Sequence, residues 1–388
     1  MYELKIAIRQ VFSRRRQTFL AVLAVSLAIA VITVMMAMLS GFQTELVQST
    51  IENNPHIVIY PEHEGDFIHL YTYISTKIAE KQGVVAVSPK YLGQAALKYR
   101  DKAEGVSLQG VEPEAEDLVL RVNKDVVNGD FFALAHTRYG IVLGDKLAEN
   151  LGVQPGDHVD AVFPGSKTTS FKVIGLTHTG TSADEITGYA RLDSVQHFFN
   201  KPGVVSTIGI RVADPYLADN ISSSIERETG LDAVSWKEAN SEILSLLDTQ
   251  MIFVNVFYAM IYGIAGFWIA NTLITIVAQR TREIGILKAM GASQRSIMAI
   301  FIFQSVILGT IGLLLGTVLG YISTVMLQHY TIQVPPEMYL GLQTLPLELE
   351  PLNFVYASFF ALIINIISGI YPARKAAKLD PVKAIESA

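Results

Sequence analysis

The sequence predicts a membrane protein with four transmembrane α-helices, one before and three after a large, mixed α/β extracytoplasmic domain. The composition is the first indication: 50% of the 388 residues are hydrophobic and only 17% are charged, against about 25% charged residues in soluble domains. The second indication is four uncharged, mostly apolar runs at 18–40, 251–278, 297–327 and 352–371. Each run reaches the ~20 residues with which a helix crosses the hydrocarbon core of a bilayer.

The first run could instead be a cleaved signal peptide, because Arg14, Arg15 and Arg16 precede it. Its apolar stretch is longer than the ~7–15 residues of a signal sequence, and no clear A-x-A cleavage site follows. We therefore expect an uncleaved anchor. A buried core helix would explain any one of the runs alone, but four runs without a single charge favour membrane spans.

The distribution of Lys and Arg predicts the orientation, since these residues mark the cytoplasmic side. The segments 1–17, 279–296 and 372–388 together carry 13 Lys and Arg against 4 Asp and Glu, whereas 328–351 carries no Lys or Arg. Both termini and 279–296 are then cytoplasmic, and 328–351 is an extracytoplasmic loop. The segment 41–250 is also outside; its 17 basic and 29 acidic residues give a net charge of −12. This charge carries no information on orientation, because long domains cross regardless of charge.

The outer segment 41–250 has the pattern of a mixed α/β domain. Alternating or β-prone stretches predict strands at 56–60, 94–100, 104–111, 140–144, 158–163, 169–176, 187–192 and 207–212. Helical periodicity is present at 68–81, 145–151 and 215–228. The stretch 118–138 is the best candidate for a boundary between two lobes. From Trp236 the pattern predicts one continuous helix into the second span, either as a rigid lever or as an ordinary connection.

The chain offers no recognisable catalytic chemistry. It has no cysteine and no G-x-x-x-x-G-K-[ST] phosphate loop, which excludes thiol chemistry and P-loop ATP hydrolysis. The spans contain no Asp, Glu, Lys, Arg or His, which argues against an ion-coupled carrier. His56, His63 and His69 do not have metal-site spacing, and we interpret Asp184 and Glu185 as a solvated loop. We expect neither a metal site nor a cofactor in this chain, and no binding of nucleic acid.

Polar and small residues inside the spans indicate how the helices pack. Asn255, Asn271 and Asn365 could line a lumen, but amide groups more often bond neighbouring helices. Gly312, Gly316 and Gly320 have the small-xxx-small spacing that lets two helices approach closely. Packing within the chain is sufficient to explain these glycines, and an interface with a second copy is the alternative.

The segment 280–293, RTREIGILKAMGAS, is a charged amphipathic island between two spans. Such a helix is suited to receive force from a soluble partner, although its charges could also serve only to keep it solvated. The chain ends with YPARKAA at 371–377 and DPVKAI at 380–385. These motifs, with one span, a large outer domain and three further spans in that order, resemble the permeases of the MacB/FtsX/LolC superfamily of ABC transporters.

Within that superfamily the chain is most similar to the lipoprotein-releasing LolC/LolE branch. The similarity lies in SGFQTEL at 40–46, NNPHI at 53–57, IVLGDKLA at 141–148 and PGD at 155–157. Some members carry a long hairpin after the GD motif that engages a soluble lipoprotein carrier. Here the corresponding segment, FPGSKT at 163–168, is a short turn, so the resemblance does not extend to transfer to such a carrier.

The resemblance implies a complex of two permease chains, a second copy or a paralogue being the partner, with two ABC ATPase chains that hold ATP and Mg. It implies ATPase coupling through Arg280, Arg282, Glu283, Gly285, Lys288 and Gly291. Closure of the ATPases would squeeze the permeases and expel a lipoprotein, or a similar amphiphile, from the outer leaflet of the cytoplasmic membrane by mechanotransmission. The residues expected near this client are Gly41, Phe42, Glu45, Asn255, Tyr258 and Tyr262.

Two other functions fit the same resemblance. An FtsX-like member would transmit ATPase strokes to an extracytoplasmic enzyme. A MacB-like member would work in efflux with an adaptor protein. In all three cases this chain is a non-catalytic subunit in contact with membrane lipid.

Overall fold

The computed structural model describes residues 2–13, 15–63, 65–330 and 346–386. The helices are α1 (Tyr2–Ser13), α2 (Arg15–Asn53), α3 (Tyr71–Ala79), α4 (Pro113–Leu120), α5 (Asp145–Leu151), α6 (Leu192–Phe198), α7 (Ala218–Thr229), α8 (Trp236–Ala239), α9 (Ser241–Gln279), α10 (Thr281–Ala289), α11 (Gln294–His329), α12 (Pro351–Ala377) and α13 (Pro381–Glu386). The strands are β1 (Ile57–Tyr60), β2 (Ile68–His69), β3 (Val84–Tyr99), β4 (Lys102–Val111), β5 (Val126–Gly129), β6 (Gly140–Gly144), β7 (His158–Val162), β8 (Thr169–Thr177), β9 (Thr187–Arg191), β10 (Val204–Val205), β11 (Thr207–Val212) and β12 (Asp232–Ser235).

The chain divides into two compact units. One comprises the residues up to Glu45 together with those from Leu246 onward, and the other is Leu46–Ser245. Over the described residues, four helices are long and apolar enough to cross a membrane by length and composition: α2, α9, α11 and α12. They contain the four uncharged runs, and each helix continues beyond its run.

The helical unit is held together by close contacts between its long helices. Ile29 and Ile32 of α2, Ile269 and Leu273 of α9 and Leu308 of α11 are all buried in one apolar cluster. Because apolar packing gives little advantage over lipid, such bundles depend on tight contact and interhelical hydrogen bonds.

The α/β unit is built on a ten-stranded sheet in the order β12-β1-β11-β3-β4-β9-β6-β8-β5, with β7 added beside β3 and β8. The long strand β3 joins the two halves, since Val84–Lys90 pairs with β11 and Tyr91–Tyr99 pairs with β4. The pairs β4–β9 and β6–β8 are parallel. A small second sheet pairs β2 with β10. A mixed α/β unit is therefore present, as predicted.

Several details of the predicted domain are corrected. The stretch 118–138 is not a boundary, because Phe131 and Leu134 are buried in a small core with Val111, Val122 and Val142. The predicted helix 68–81 starts only at Tyr71, since 68–69 form strand β2. The turn 163–168 between β7 and β8 is as short as the sequence suggests.

The predicted continuous helix from Trp236 is also wrong. It is interrupted at Asn240, whose backbone (φ −110°, ψ 20°) leaves the helical conformation and whose side-chain amide donates to the Trp236 carbonyl at 2.7 Å; helix α9 begins at the next residue. The predicted coupling helix 279–296 is shorter than expected and covers only Thr281–Ala289. The last long helix, by contrast, continues through Pro372 to Ala377, six residues into the predicted tail.

Candidate functional site

The candidate site is a small helical platform made of α10, α13 and the end of α12, which we call the coupling platform. Helix α10 is separated from α9 by Arg280 alone. It ends before Gly291, whose φ of +98° is a left-handed conformation that favours glycine. Ser293 then starts α11, its hydroxyl accepting a hydrogen bond from the Ser296 N–H at 3.1 Å. The charged island is thus a short helix bounded by local stop and start signals.

The inner face of α10 packs on α13. Ile284 is 3% exposed, and Gly285 lies where an added Cβ would stand 2.9 Å from the Ala384 Cβ and 3.2 Å from the Pro381 carbonyl oxygen. Only glycine allows α10 to approach α13 this closely. The central motif and the DPVKAI motif are therefore two halves of one contact.

Lys288 also points inward rather than towards a partner. Its ammonium donates to the carbonyl oxygens of Ala377, at 3.0 Å, and Leu379. These carbonyls lie at the C-terminal end of α12, where unpaired carbonyls and the helix dipole favour a positive charge. Lys288 is half-buried and joins α10 to the end of α12.

Arg280 ties the platform to α1. Its guanidinium donates to Glu283 Oε2 at 2.6 Å and to Ser13 Oγ at 2.7 Å. The Arg280 side chain is 15% exposed and that of Glu283 57%. Arg280 thus holds the start of α10 against the end of α1, while Glu283 remains accessible.

The outward face of α10 combines charge with large apolar side chains. Arg282 and Glu283 are exposed, and so are Ile286 at 44% and Met290 at 73%. Ile286 and Met290 are four residues apart and lie on one side of the helix. Neither residue is among those predicted from the sequence, where their i, i+4 spacing within a charged segment was the available signal.

A cleft of about 410 Å³ lies between α1 and α10. We call it the α1–α10 cleft. Its lining consists of Ile6, Arg9, Gln10, Ser13, Arg280, Glu283, Ile286 and Leu287. The platform therefore has a concave side next to its exposed face.

The residues expected near a client fall into two groups. Gly41 is buried against 346–348, and Tyr262 is buried with its hydroxyl donating to the Ala357 carbonyl at 2.8 Å. Tyr258 is likewise buried, at 7% exposure. These three residues pack within the chain, so in this conformation they are not accessible to a client.

Glu45, Asn255 and, in part, Phe42 do reach the surface of the helical unit. Helix α9 also presents a row of large apolar side chains on one face, each at least 58% exposed: Phe253, Phe257, Met260, Ile264 and Phe267. Helix α9 therefore has a broad apolar face that the described part of this chain leaves uncovered.

The glycines of α11 face α2 of the same chain. An added Cβ would stand 2.7 Å from Val25 at Gly312, 2.7 Å from the Ser26 carbonyl oxygen at Gly316, and 2.9 Å from Thr33 at Gly320. All three glycines are buried. This face is used inside the chain, so it does not offer the alternative interface with a second copy.

Asn365 also acts within the chain. It is 2% exposed, its carbonyl oxygen accepts from the Ser305 hydroxyl, and its side chain fills the space beside Gly309. Asn365 therefore packs between α12 and α11 rather than lining a lumen. Asn255, by contrast, is exposed.

In the α/β unit, the prediction that Asp184 lies in a solvated loop is wrong. It is 1% exposed and accepts hydrogen bonds from the N–H groups of Thr179 and Gly180, at 2.9 and 2.8 Å. His178 lies between it and Asp145, with Nδ1 2.8 Å from Asp145 Oδ2 and 3.6 Å from Asp184 Oδ2. The three side chains could hold a metal ion by spacing alone, but hydrogen bonds already engage each of them.

The first histidine is a structural residue. His56 is 2% exposed, and its Nε2 lies 3.2 Å from the Ile51 carbonyl at the end of α2. Burial, and next the charge of Arg211, lower the pKa of His56. His63 and His69 are exposed and do not join it.

Two protein families together match most of the chain. Residues 18–228 match the MacB-like periplasmic core domain family, and residues 255–381 match the FtsX-like permease C-terminal family. The transmembrane protein LolC of the lipoprotein-releasing system of Neisseria meningitidis is 23% identical, the match covering 95% of this chain and 93% of LolC. LolE of Haemophilus influenzae is 25% identical, over 94% of this chain and 93% of LolE.

Among solved structures, the periplasmic region of MacB from Actinobacillus actinomycetemcomitans matches with a TM-score of 0.38 and 14% identity. That match covers 50% of this chain and 94% of the MacB region.

Proposed function

Because the chain belongs to the MacB/FtsX/LolC superfamily of ABC transporter permeases and is most like its LolC and LolE members, we propose that it is the membrane subunit of a lipoprotein-extracting ABC transporter. A separate ATPase supplies the energy and holds ATP and Mg. The client is a lipoprotein or a similar amphiphile in the outer leaflet of the cytoplasmic membrane. The second permease of the complex is another copy or a paralogue.

The observation that carries the proposal is the outward face of α10. On this face the charged residues Arg282 and Glu283 lie next to two exposed apolar side chains, those of Ile286 and Met290. Buried apolar contacts with a polar rim are the usual anatomy of a protein interface. We propose that this face inserts into a groove of the ATPase.

The inner contacts of the platform suit it to transmit force. Arg280 bonds to Ser13 of α1, Lys288 bonds to the end of α12, and Gly285 packs on α13. Helix α10 also lies directly between α9 and α11 in the chain. A push on α10 would therefore be shared by the adjoining ends of the long helices, which supports coupling by mechanotransmission without a polar pore.

The orientation follows from the charge distribution. With four spans, the basic segments 1–17, 279–296 and 372–388 lie in the cytoplasm, where an ATPase can reach α10. The MacB-like domain and 328–351 then lie on the extracytoplasmic side. Residues 331–345 are not among the residues that the structure describes, so the position of this segment is supported by sequence alone.

The exposed row Phe253, Phe257, Met260, Ile264 and Phe267 of α9 is the proposed contact for the acyl chains of the client. Asn255 and Glu45 are exposed as well, whereas Gly41, Tyr258 and Tyr262 are packed inside. Phe42 is half-buried. The second permease is the alternative occupant of the same row.

The test is mild detergent purification of the tagged chain from native membranes, followed by mass spectrometry. An ATPase together with acylated proteins supports the proposal. An ATPase with a peptidoglycan hydrolase would indicate the FtsX-like function, and an ATPase with a periplasmic adaptor the MacB-like function. Absence of any ATPase would overturn all three.

The docking surface is tested in the same experiment by Met290→Glu, which places a charge on the more exposed of its two apolar side chains. We expect loss of the ATPase from the purified complex, with insertion and yield unchanged. The matched control is Met251→Glu: Met251 is 39% exposed at the other end of α9, far along the chain from α10. Equal retention of the ATPase by both variants would contradict the docking face.

A further inference from the structure

The five residues before α12 form an irregular segment that lies against α2. We call this segment, 346–350, the strap. Gly41 of α2 lies directly beneath it, since an added Cβ there would stand 2.6 Å from the Pro346 carbonyl oxygen and 2.9 Å from the Glu348 nitrogen. Both are backbone atoms, so only glycine allows the strap to lie this close to the helix.

Two hydrogen bonds hold the strap on the same face of α2. The Glu348 N–H donates to the Ala37 carbonyl at 3.0 Å, and the Glu348 carboxylate accepts from the Thr44 hydroxyl at 2.6 Å. Ala37, Gly41 and Thr44 are spaced i, i+4 and i+7, which places them on one face of the helix. The close approach at Gly41 and the two hydrogen bonds are therefore parts of one contact.

The same region also connects α2 with α11 and α12. The side-chain amide of Gln328 in α11 donates to the Leu347 carbonyl at 2.7 Å. The side-chain amide of Asn353 in α12 donates to Ser40 Oγ of α2 at 2.8 Å. Ser40 ends the first uncharged run and Gln328 follows the third. The strap and its neighbours thus join the ends of three long helices at one boundary of the hydrocarbon core.

Helix α9 is much less restrained at this boundary. Residues 251–257, which begin its uncharged run, are all exposed or half-buried. Packing on α12 is found further along α9, where the Tyr262 hydroxyl donates to the Ala357 carbonyl at 2.8 Å. The hydrogen bonds of the strap reach α2 and α11 but not α9. In the part of the chain that the structure describes, the outer part of α9 therefore carries Phe253 and Phe257 of the exposed row without a comparable attachment.

We propose that the strap makes α2, α11 and α12 a fixed frame, and that the client leaves the membrane when the outer part of α9 moves against this frame. Gly41, Thr44 and Glu348 are then positioning residues that hold the frame and do not contact the client. This inference rests on the proposed function for the client and for the side of the membrane, but not for the frame itself. It gives the SGFQTEL motif at 40–46 a role, because Ser40, Gly41 and Thr44 each serve this set of contacts.

The frame is tested in the chain alone. The chain has no cysteine, so nitroxide pairs can be attached at Met38→Cys with Met326→Cys, and at Phe253→Cys with Met326→Cys, all at exposed positions. Distances are measured by electron paramagnetic resonance in nanodiscs, with the labelled chain diluted in unlabelled chain so that they arise within one molecule. We expect a narrow distribution for pair 38/326 and a broad one for pair 253/326. Equal widths would overturn the proposal.

The variant Gly41→Leu should displace the strap, because the backbone atoms above Gly41 cannot yield to a side chain. The 38/326 distribution should then widen to that of pair 253/326. The matched control is Gly263→Leu, where nothing lies within 4 Å of the added Cβ, and it should leave both distributions unchanged. If Gly41→Leu does not fold, Glu348→Pro removes the N–H that bonds Ala37 without adding bulk to α2, and the same widening is expected. An unchanged 38/326 distribution in the variant that folds would overturn the proposal.

The role in release is tested with the copurified ATPase and a fluorescent triacylated lipopeptide as the probe. Thr44→Cys and Glu348→Cys are joined by a short bifunctional thiol reagent, which fixes the strap on α2. The linked complex should transfer the lipopeptide from nanodiscs to vesicles on addition of ATP as fast as wild type. Gly41→Leu should still hydrolyse ATP but lose the transfer.

Loss of transfer on linking would show that the strap has to open, and it would overturn the proposal. Transfer by Gly41→Leu at the rate of wild type would overturn it as well. Absence of transfer by the wild-type complex would instead count against the proposed function. The distance measurements require neither the ATPase nor a client, so the frame is decided by them in that case.

Discussion

Gly285 of α10 and Ala384 of α13 are packed so closely that a Cβ added at Gly285 would stand 2.9 Å from that of Ala384. The two residues are 99 positions apart in the chain and belong to the two motifs that carry the family resemblance. Their contact gives a physical reason for the pairing of those motifs. A short helix whose outer face is exposed can bury its inner face only by packing on another helix, which here is α13.

The variant Gly285→Leu should separate α13 from α10. Overpacking at a close contact costs about 1–3 kcal/mol, so the C-terminal segment should open more often. Limited trypsin digestion should then cut after Lys378 or Lys383 about tenfold faster. The control is Ala289→Leu, which adds the same bulk to an exposed position of α10. Equal digestion of the two variants would show that the contact does not hold the tail.

The variant Lys288→Met should destabilise the helical unit. It removes charged hydrogen bonds to the carbonyls of Ala377 and Leu379, and unpaired buried carbonyls cost about 1–3 kcal/mol. We expect a lower temperature of thermal unfolding in detergent than for wild type. Lys375→Met, at an exposed position of α12, should have no such effect. A Lys288→Met protein as stable as wild type would favour an outward role for this lysine.

The variant Gly316→Leu should prevent α2 and α11 from packing. An added Cβ at Gly316 would stand 2.7 Å from the Ser26 carbonyl and 2.8 Å from Ile29 Cβ, and neither backbone nor Cβ can move without separating the helices. We expect a loss of monodisperse protein on size exclusion. Gly263→Leu is the matched control, because nothing lies within 4 Å of the added Cβ there. Normal behaviour of both variants would contradict the tight contact.

The helices and most strands were predictable because their signals are local. Uncharged runs identify the long helices, and β-prone stretches identify strands such as 140–144 and 207–212. The errors have physical causes that alternation or periodicity does not reveal. Strand β3 contains Pro89 and Gly93, which obscure the part of the strand before Gln94, and α8 ends at Asn240, whose backbone leaves the helical conformation.

The candidate site was predictable in position but not in the direction of its side chains. The charged island identified α10, and Gly291 marks its end. Lys288 was expected among the coupling residues; its hydrogen-bond partners at 377 and 379 are brought to it by folding. Long-range contacts of this kind cannot be inferred from one sequence. Ile286 and Met290 carry no charge, so only their apolar i, i+4 spacing distinguishes them in the sequence.

His56 makes the stability of the α/β unit dependent on pH. Its Nδ1 lies 3.1 Å from the carbonyl oxygen of Val212 and 3.2 Å from the backbone nitrogen of the same residue, and its Nε2 lies 3.2 Å from the Ile51 carbonyl oxygen. Burial and the charge of Arg211 keep its pKa below the ordinary value, and the two carbonyls nearby offset only part of this effect. The folded state therefore binds a proton less readily than the unfolded state, whose histidine titrates near pH 6.5.

The free energy of unfolding of the α/β unit should decrease as the pH falls through about 6.5. It should continue to decrease until the pH reaches the pKa of His56 in the folded state, by at most about 1.4 kcal/mol per pH unit. The variant His56→Gln should reduce this slope, because glutamine does not titrate. The measurement is thermal unfolding at pH 7.5 and 5.5, followed by fluorescence of Trp236 in a Trp268→Phe background. His158→Gln, at an exposed position of β7, should retain the slope of the wild type. If His56→Gln retained it as well, the pH dependence would have to come from groups other than His56.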